Sequence, residues 1–157
     1  MSQYNKSEDI RLVTLGQRTK KSIAATTNAT QSLFTVTGLV VVEGIIGYVT
    51  TAFDGTTTSI NLAHDPTIGS AADLCAATVV TSDAVGTIYG YLGDAITTLL
   101  VSSAVTAPGT AYAPMPNLKQ VLTPGVIGYV GTAADAGAVD WYCMWVALSD
   151  DGAVTAA

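Results

Sequence analysis

The chain of 157 residues holds a single histidine, His64, so any Ser/His/Asp relay would have to run through it. His64 stands beside Asp65-Pro66, a turn signal, and a solvated or capping imidazole is the expectation there rather than a base. Glu43 is the only glutamate outside the N-terminal stretch, and it interrupts an apolar run. Burial would raise its pKa toward general-acid duty. The simpler reading is a carboxylate that faces solvent or pairs with a Lys or Arg of a neighbouring arm. Asp54, Asp65, Asp73, Asp83, Asp94 and Asp135 fall mostly at turns, where Asp bonds its own backbone. Calcium needs several oxygens converging on one point, and beyond the N-terminal stretch only Asp150 and Asp151 are adjacent acids. Cys75 and Cys143 match no metal spacing. They read as buried free thiols in a reducing cytosol, with a disulfide between two facing strands as the alternative. The glycines lack the spacing of a phosphate-binding loop. No catalytic, cofactor or metal constellation emerges, and a protein that is not an enzyme is expected.

Aromatic side chains offer another route to a ligand. Trp141 and Trp145 share one face of an expected strand, with Cys143 between them. That pair would suit a sugar-stacking platform in a glycan-binding or host-recognition module; core packing is the plainer account. Charge excludes other classes. Hydrophobic residues make up 49% of the chain and charged residues 11%, against a typical charged share of about 25%. An isolated monomer of this kind would expose large neutral patches, so cover by other subunits is expected. The net charge of −6 is unevenly spread: Lys6, Arg11, Arg18, Lys20 and Lys21 precede an acidic remainder whose only basic residue is Lys119. An acidic body does not attract nucleic acid. No segment reaches the ~18 uninterrupted apolar residues of a membrane helix. The polar N-terminus lacks a signal peptide's apolar core, so synthesis in the cytoplasm is expected.

The elements that must carry these residues read as strands. Residues 39–63 open with an apolar β-type run, turn at Asp54-Gly55 and return through a Thr-rich stretch, a hairpin signature. In the outgoing run Val40, Val42, Ile46 and Tyr48 oppose Leu39, Val41, Ile45 and Val49, which implies protein on both sides. In the return, Thr58, Ile60 and Leu62 oppose Ser59, Asn61 and Ala63, a strand buried on one side. Gly44-Ile45-Ile46-Gly47-Tyr48-Val49 recurs as Gly125-Val126-Ile127-Gly128-Tyr129-Val130, which would suit a sandwich of two similar halves or convergence in a Gly/Val-rich chain.

Residues 1–31 show no sustained strand pattern and read as an extended arm. Ile10, Leu12, Val13 and Leu15 suit a clasp across a partner better than a solvated tail. From residue 32 short strands follow with turns every 8–12 residues: 33–37, 73–80, 87–92, 96–105, 118–122, 126–130 and 139–148. A turn is expected over 64–69, and a short polar tail over 149–157. Residues 139–148, with Trp141, Tyr142, Met144 and Trp145, read as a central strand covered on both faces. The fold expected is all-β, an antiparallel sandwich or jelly roll over residues 32–157, preceded by the arm.

The stretches SLFTVTG, GIIGYVTTA, TTTSINLAHDP, DLCAATVVTSDAVGTIYGYLG and VDWYCMWVALSDDG together resemble small capsid-associated proteins of tailed bacteriophages, nearest to the decoration (cement) proteins. The resemblance spans about residues 32–152 and is one of pattern and composition, without a diagnostic motif. It implies a β-rich, often trimeric protein on the outside of a virion shell, bound to the major capsid protein, with no catalytic residue. On that reading Lys6, Ile10, Arg11, Leu12, Val13, Leu15, Arg18, Lys20 and Lys21 form the capsid-contact arm, on the major capsid protein or a sister subunit. Val40, Val42, Ile45, Ile46, Tyr48, Trp141 and Trp145 are candidates for core and trimer interface.

Overall fold

The computed structural model describes residues 16–24, 30–54, 59–91, 93, 95–102, 119–134 and 136–157. Their regular elements are strands: β1 (Gln17–Ala24), β2 (Thr30–Thr37), β3 (Val40–Thr51), β4 (Ser59–Pro66), β5 (Ala72–Asp73), β6 (Thr78–Val79), β7 (Ile88–Gly90), β8 (Leu100–Ser102), β9 (Gln120–Leu122), β10 (Gly125–Gly131), β11 (Ala138–Ala147) and β12 (Ala153–Ala156). Two antiparallel sheets pack face to face, which makes the molecule a β-sandwich. The first runs β1-β11-β3-β7-β8, with β9 beside the other half of β3. The second runs β12-β2-β10-β4-β5, with β6 also on β4.

Alternation explains where the core lies. Successive side chains on a strand point to opposite faces, and in β11 Val139, Trp141, Cys143 and Trp145 are buried while the residues between them are half-exposed. Trp141 sits at the centre. Its ring lies 6.2 Å from Tyr89 in its own sheet and 6.4 Å from Tyr129 across the sandwich. Burying an indole of this size contributes about 4–6 kcal/mol at ~25 cal/mol per Å². Gly47 is its direct neighbour on β3, and a Cβ there would stand 2.9 Å from the ring. The glycine is the space into which the indole fits.

The expected hairpin is not formed. β3 lies in the first sheet and β4 in the second, so the chain changes sheets between them. Both edges of β3 are already occupied, one by β11 over its whole length and the other by β7 and β9, which leaves β4 to pair with β10. Gly55 lies outside the described residues. The grouping expected for β3 also changes, because a β-bulge falls at Glu43, between the Gly44–Met144 and Val42–Trp145 pairs. The extra residue reverses the parity of the strand. Val40 and Val42 point inward before it, and Ile45, Gly47 and Val49 after it. The outward set is Val41, Ile46 and Tyr48.

Three boundaries differ from the sequence reading. Residues 17–24 are not part of an arm but the edge strand β1, paired with β11 along its length. The stretch after residue 149 is not all tail, since β12 pairs with β2 and buries Val154. β4 runs through His64 to Pro66 before the chain bends, because β10 pairs with it as far as Gly125–Pro66. Polar side chains tie the two sheets at this flank: Trp145 Nε1 donates to Thr19 Oγ1 at 3.1 Å, Thr19 donates to the Val154 carbonyl at 2.7 Å, and Lys21 donates to the Ala157 carbonyl.

Candidate protein-interaction surface

The outer face of the first sheet follows from the register. Tyr142 on β11 stands opposite Ile46 on β3 and Lys20 on β1; Asp140 stands opposite Tyr48 and Ser22; Val146 stands opposite Val41, which in turn faces Val121 on β9. All these side chains are half-buried or exposed, with Tyr48 at 42%, Val146 at 39% and Val121 at 58%. Leu148 and Leu39, joined by a backbone hydrogen bond of 2.9 Å, prolong the apolar band at one end. β11 is therefore central within its sheet but covered on one face, not two. Among the described residues nothing of this chain lies over the other face.

Charged groups border the band. Lys20 pairs with Asp140 at 2.6 Å, and Ser22 also donates to that carboxylate. The hydrogen bond to Asp140 raises the Lys20 pKa, and the same bond lowers that of Asp140. Lys20 and Arg18 stand 5.6 and 6.0 Å from the Tyr142 ring centre, within cation–π reach. Glu43, displaced by the bulge, pairs with Lys119 at 2.6 Å. Its partner thus comes from this chain's own β9 side rather than from a neighbouring arm.

The outer face of the second sheet is of another kind. Thr30, Ser32, Ala63, Asp65, Ala71, Val126, Gly128 and Val130 line a shallow depression of about 330 Å³, made of small groups, polar and apolar together. The difference traces to the repeated motif. Both copies occupy the third strand of their sheet, β3 and β10, yet they are turned opposite ways. In β3, Ile45, Gly47 and Val49 point inward and Tyr48 points out. In β10, Ile127 and Tyr129 point inward, and Val126 and Val130 lie on the outer side. The halves are not packed equivalently.

Of the expected interface residues, Val40, Val42, Ile45, Trp141 and Trp145 are core, and only Ile46 and Tyr48 reach the outer face. Of the expected capsid-contact residues, Lys6, Ile10, Arg11, Leu12, Val13 and Leu15 lie outside the described residues, whereas Arg18, Lys20 and Lys21 stand on β1. A sugar cannot stack on Trp141 or Trp145, which are 0% and 4% exposed. Val121 was missed in the sequence, and within 139–148 nothing local shows that Tyr142 and Val146, rather than Trp141 and Trp145, lie on the side that stays uncovered.

The residues that invited chemistry are spoken for. His64 is buried rather than solvated, its Nε2 3.2 Å from the Thr123 carbonyl, and burial pushes its pKa down. Cys75 and Cys143 are free buried thiols; burial raises both, that of Cys143 to about 12. Asp83 accepts the Tyr89 hydroxyl at 2.7 Å, and Asp73 accepts the Asn61 amide at 2.8 Å. Among the described residues no three His, Cys, Asp or Glu side chains gather as a metal site. What the surface offers is association: an apolar band with a mixed, partly basic rim. Compared with known protein families, curated proteins and solved structures, the chain gives no match.

Proposed function

We propose that this chain is a structural virion protein that decorates and stabilises the outside of a bacteriophage shell. The observation that carries the reading is the uncovered Tyr/Val/Ile band on the outer face of the first sheet. An apolar patch of this kind on a folded domain marks an interaction site. It sits on a rigid sandwich whose two tryptophans serve the core, an arrangement suited to a brick and not to a catalyst. The partner class comes from the resemblance to decoration proteins, and the low charge of the chain fits a subunit that works in contact with others. Residues 1–15 would add a contact to the major capsid protein or to a sister subunit.

The test is to mix the purified chain with undecorated heads of the phage that carries its gene. Saturable binding that raises the temperature at which heads rupture is the expected result. Heads that neither bind the chain nor gain stability would remove the proposal. The trimer implied by the resemblance is checked separately by mass in solution. A monomer that still saturates heads would remove the trimer and leave decoration standing.

A further inference from the structure

Among the described residues the basic side chains gather on the first sheet. Arg18, Lys20 and Lys119 stand on or beside the outer face of the first sheet against Glu43 and Asp140, and Lys21 lies on the same edge strand. The other described charged residues are all acids: Asp54, Asp65, Asp73, Asp83, Asp150 and Asp151. The basic excess assigned by sequence to an arm is therefore the property of β1, since Lys6 and Arg11 are offset by Glu8 and Asp9. Lys20 and Lys119 are paired within the chain, but Arg18 has no ion-pair partner among the described residues. The chain joins this rim at Gly16. Its φ of +66° favours glycine, and a Cβ there would stand 3.1 Å from the Glu43 carboxylate and 3.4 Å from Val146.

We propose that the outer face formed by β1, β11 and β3, with Arg18 at its rim, is the side that docks on the shell. Its occupant is an apolar protein patch bordered by carboxylates. This rests on the capsid reading above and assigns that reading a face. Complementary charge steers such a contact and fixes its register, while the buried apolar centre supplies most of the affinity. A second copy is a poorer occupant. Two of these faces meeting about a two-fold axis would bring their basic rims together. The outer side of another copy's second sheet carries Asp65 and Asp73, which have the complementary sign. It lies on the opposite side of the sandwich, however, so that contact would repeat as an open stack instead of closing.

The experiment titrates wild type, Arg18→Glu, Tyr48→Asp and Thr155→Glu onto undecorated heads and measures the mass of each protein in solution. Thr155 is exposed on the second sheet's edge strand and serves as the control. Fluorescence of the buried tryptophans, Trp141 and Trp145, verifies that each variant is folded. The expected result is half-saturation weakened more than about tenfold for Arg18→Glu and Tyr48→Asp. Thr155→Glu should stay within about twofold, a few tenths of a kcal/mol on the same scale. Wild-type occupancy for both face variants would overturn the inference and leave decoration intact. So would variants that change the mass in solution but not head binding, which would make a second copy the occupant. Failure of wild type itself to bind heads would remove both readings together.

Discussion

β3 and β10 carry nearly the same six residues at the same place in two sheets, and the molecule uses them in opposite senses. In β3 the tyrosine of the motif faces out; in β10 it is fully buried against Trp141. The bulge at Glu43 sets which way β3 faces, and the bulge in β2 between the partners of Ile127 and Gly128 adjusts the other sheet. A strand that is apolar at consecutive positions can present either face to a core, so tertiary pairing chooses. The consequence is functional. The turned copy leaves an aromatic and aliphatic outer face on the first sheet, while the second sheet shows small side chains, polar and apolar together.

The most severe way to break the comparison is to insert one alanine after Ile46, away from the bulge. The added residue turns Val40, Val42 and Ile45 outward relative to Gly47 and Val49. Loss of cooperative unfolding, read by near-ultraviolet circular dichroism, is the expected outcome, whereas deletion of Glu43 removes only the extra residue of the bulge, leaves all five inward, and should still unfold cooperatively. Equivalent tyrosines come next. Tyr129→Ala should cost about 3–5 kcal/mol by urea denaturation, as for other large buried aromatics, and Tyr48→Ala about 0.5 kcal/mol or less. Equal costs would mean that the two copies are packed alike.

The motif glycines sharpen the contrast further. A Cβ at Gly47 meets the fully buried indole of Trp141 at 2.9 Å, while at Gly128 it meets the γ-methyl of Thr30, also at 2.9 Å. Thr30 is exposed and can turn aside. Gly47→Ala should therefore cost about 1–3 kcal/mol and Gly128→Ala less.

The smallest effect is a slope. The Cys143 thiol is raised from 9.0 to about 12 in the folded chain. Above pH 9 the unfolded state loses this proton and the folded state keeps it, so stability falls as pH rises through that window. Cys143→Ala should flatten the alkaline limb of a stability–pH curve relative to wild type, whatever the cavity costs at neutral pH. His64 acts on the acid side. Its folded pKa lies below 6.5, so the unfolded chain binds the proton first and stability falls as pH drops below that value.

Legibility in the sequence followed regularity. In β4 the period of two is unbroken, so Ile60 and Leu62 were placed on their buried face from spacing alone; in β11 spacing grouped Trp141 with Trp145, but large groups on both sides hid that only one face is covered. β3 was not legible, because one inserted residue shifts the phase without changing how apolar the run looks. β1 reads as polar because an edge strand buries little: only Ile23 of its eight residues is buried. Its place is fixed by the eight residue pairs it makes with β11, more than 110 positions away. β12 is four small residues, and its pairing with β2 likewise has no local signal. The interaction face was the least visible, since it depends on what the fold leaves uncovered.

The most direct measurement is hydroxyl-radical footprinting of the dilute protein, free and bound to undecorated heads, with modification read at individual residues. Modification of Tyr48, Tyr142 and Met144 in the free protein, silence at Tyr129 and Trp141, and protection of the first three on heads is the pattern expected. Tyr129 reacting as fast as Tyr48 in the folded protein, or Tyr48 staying reactive on saturated heads, would contradict the account.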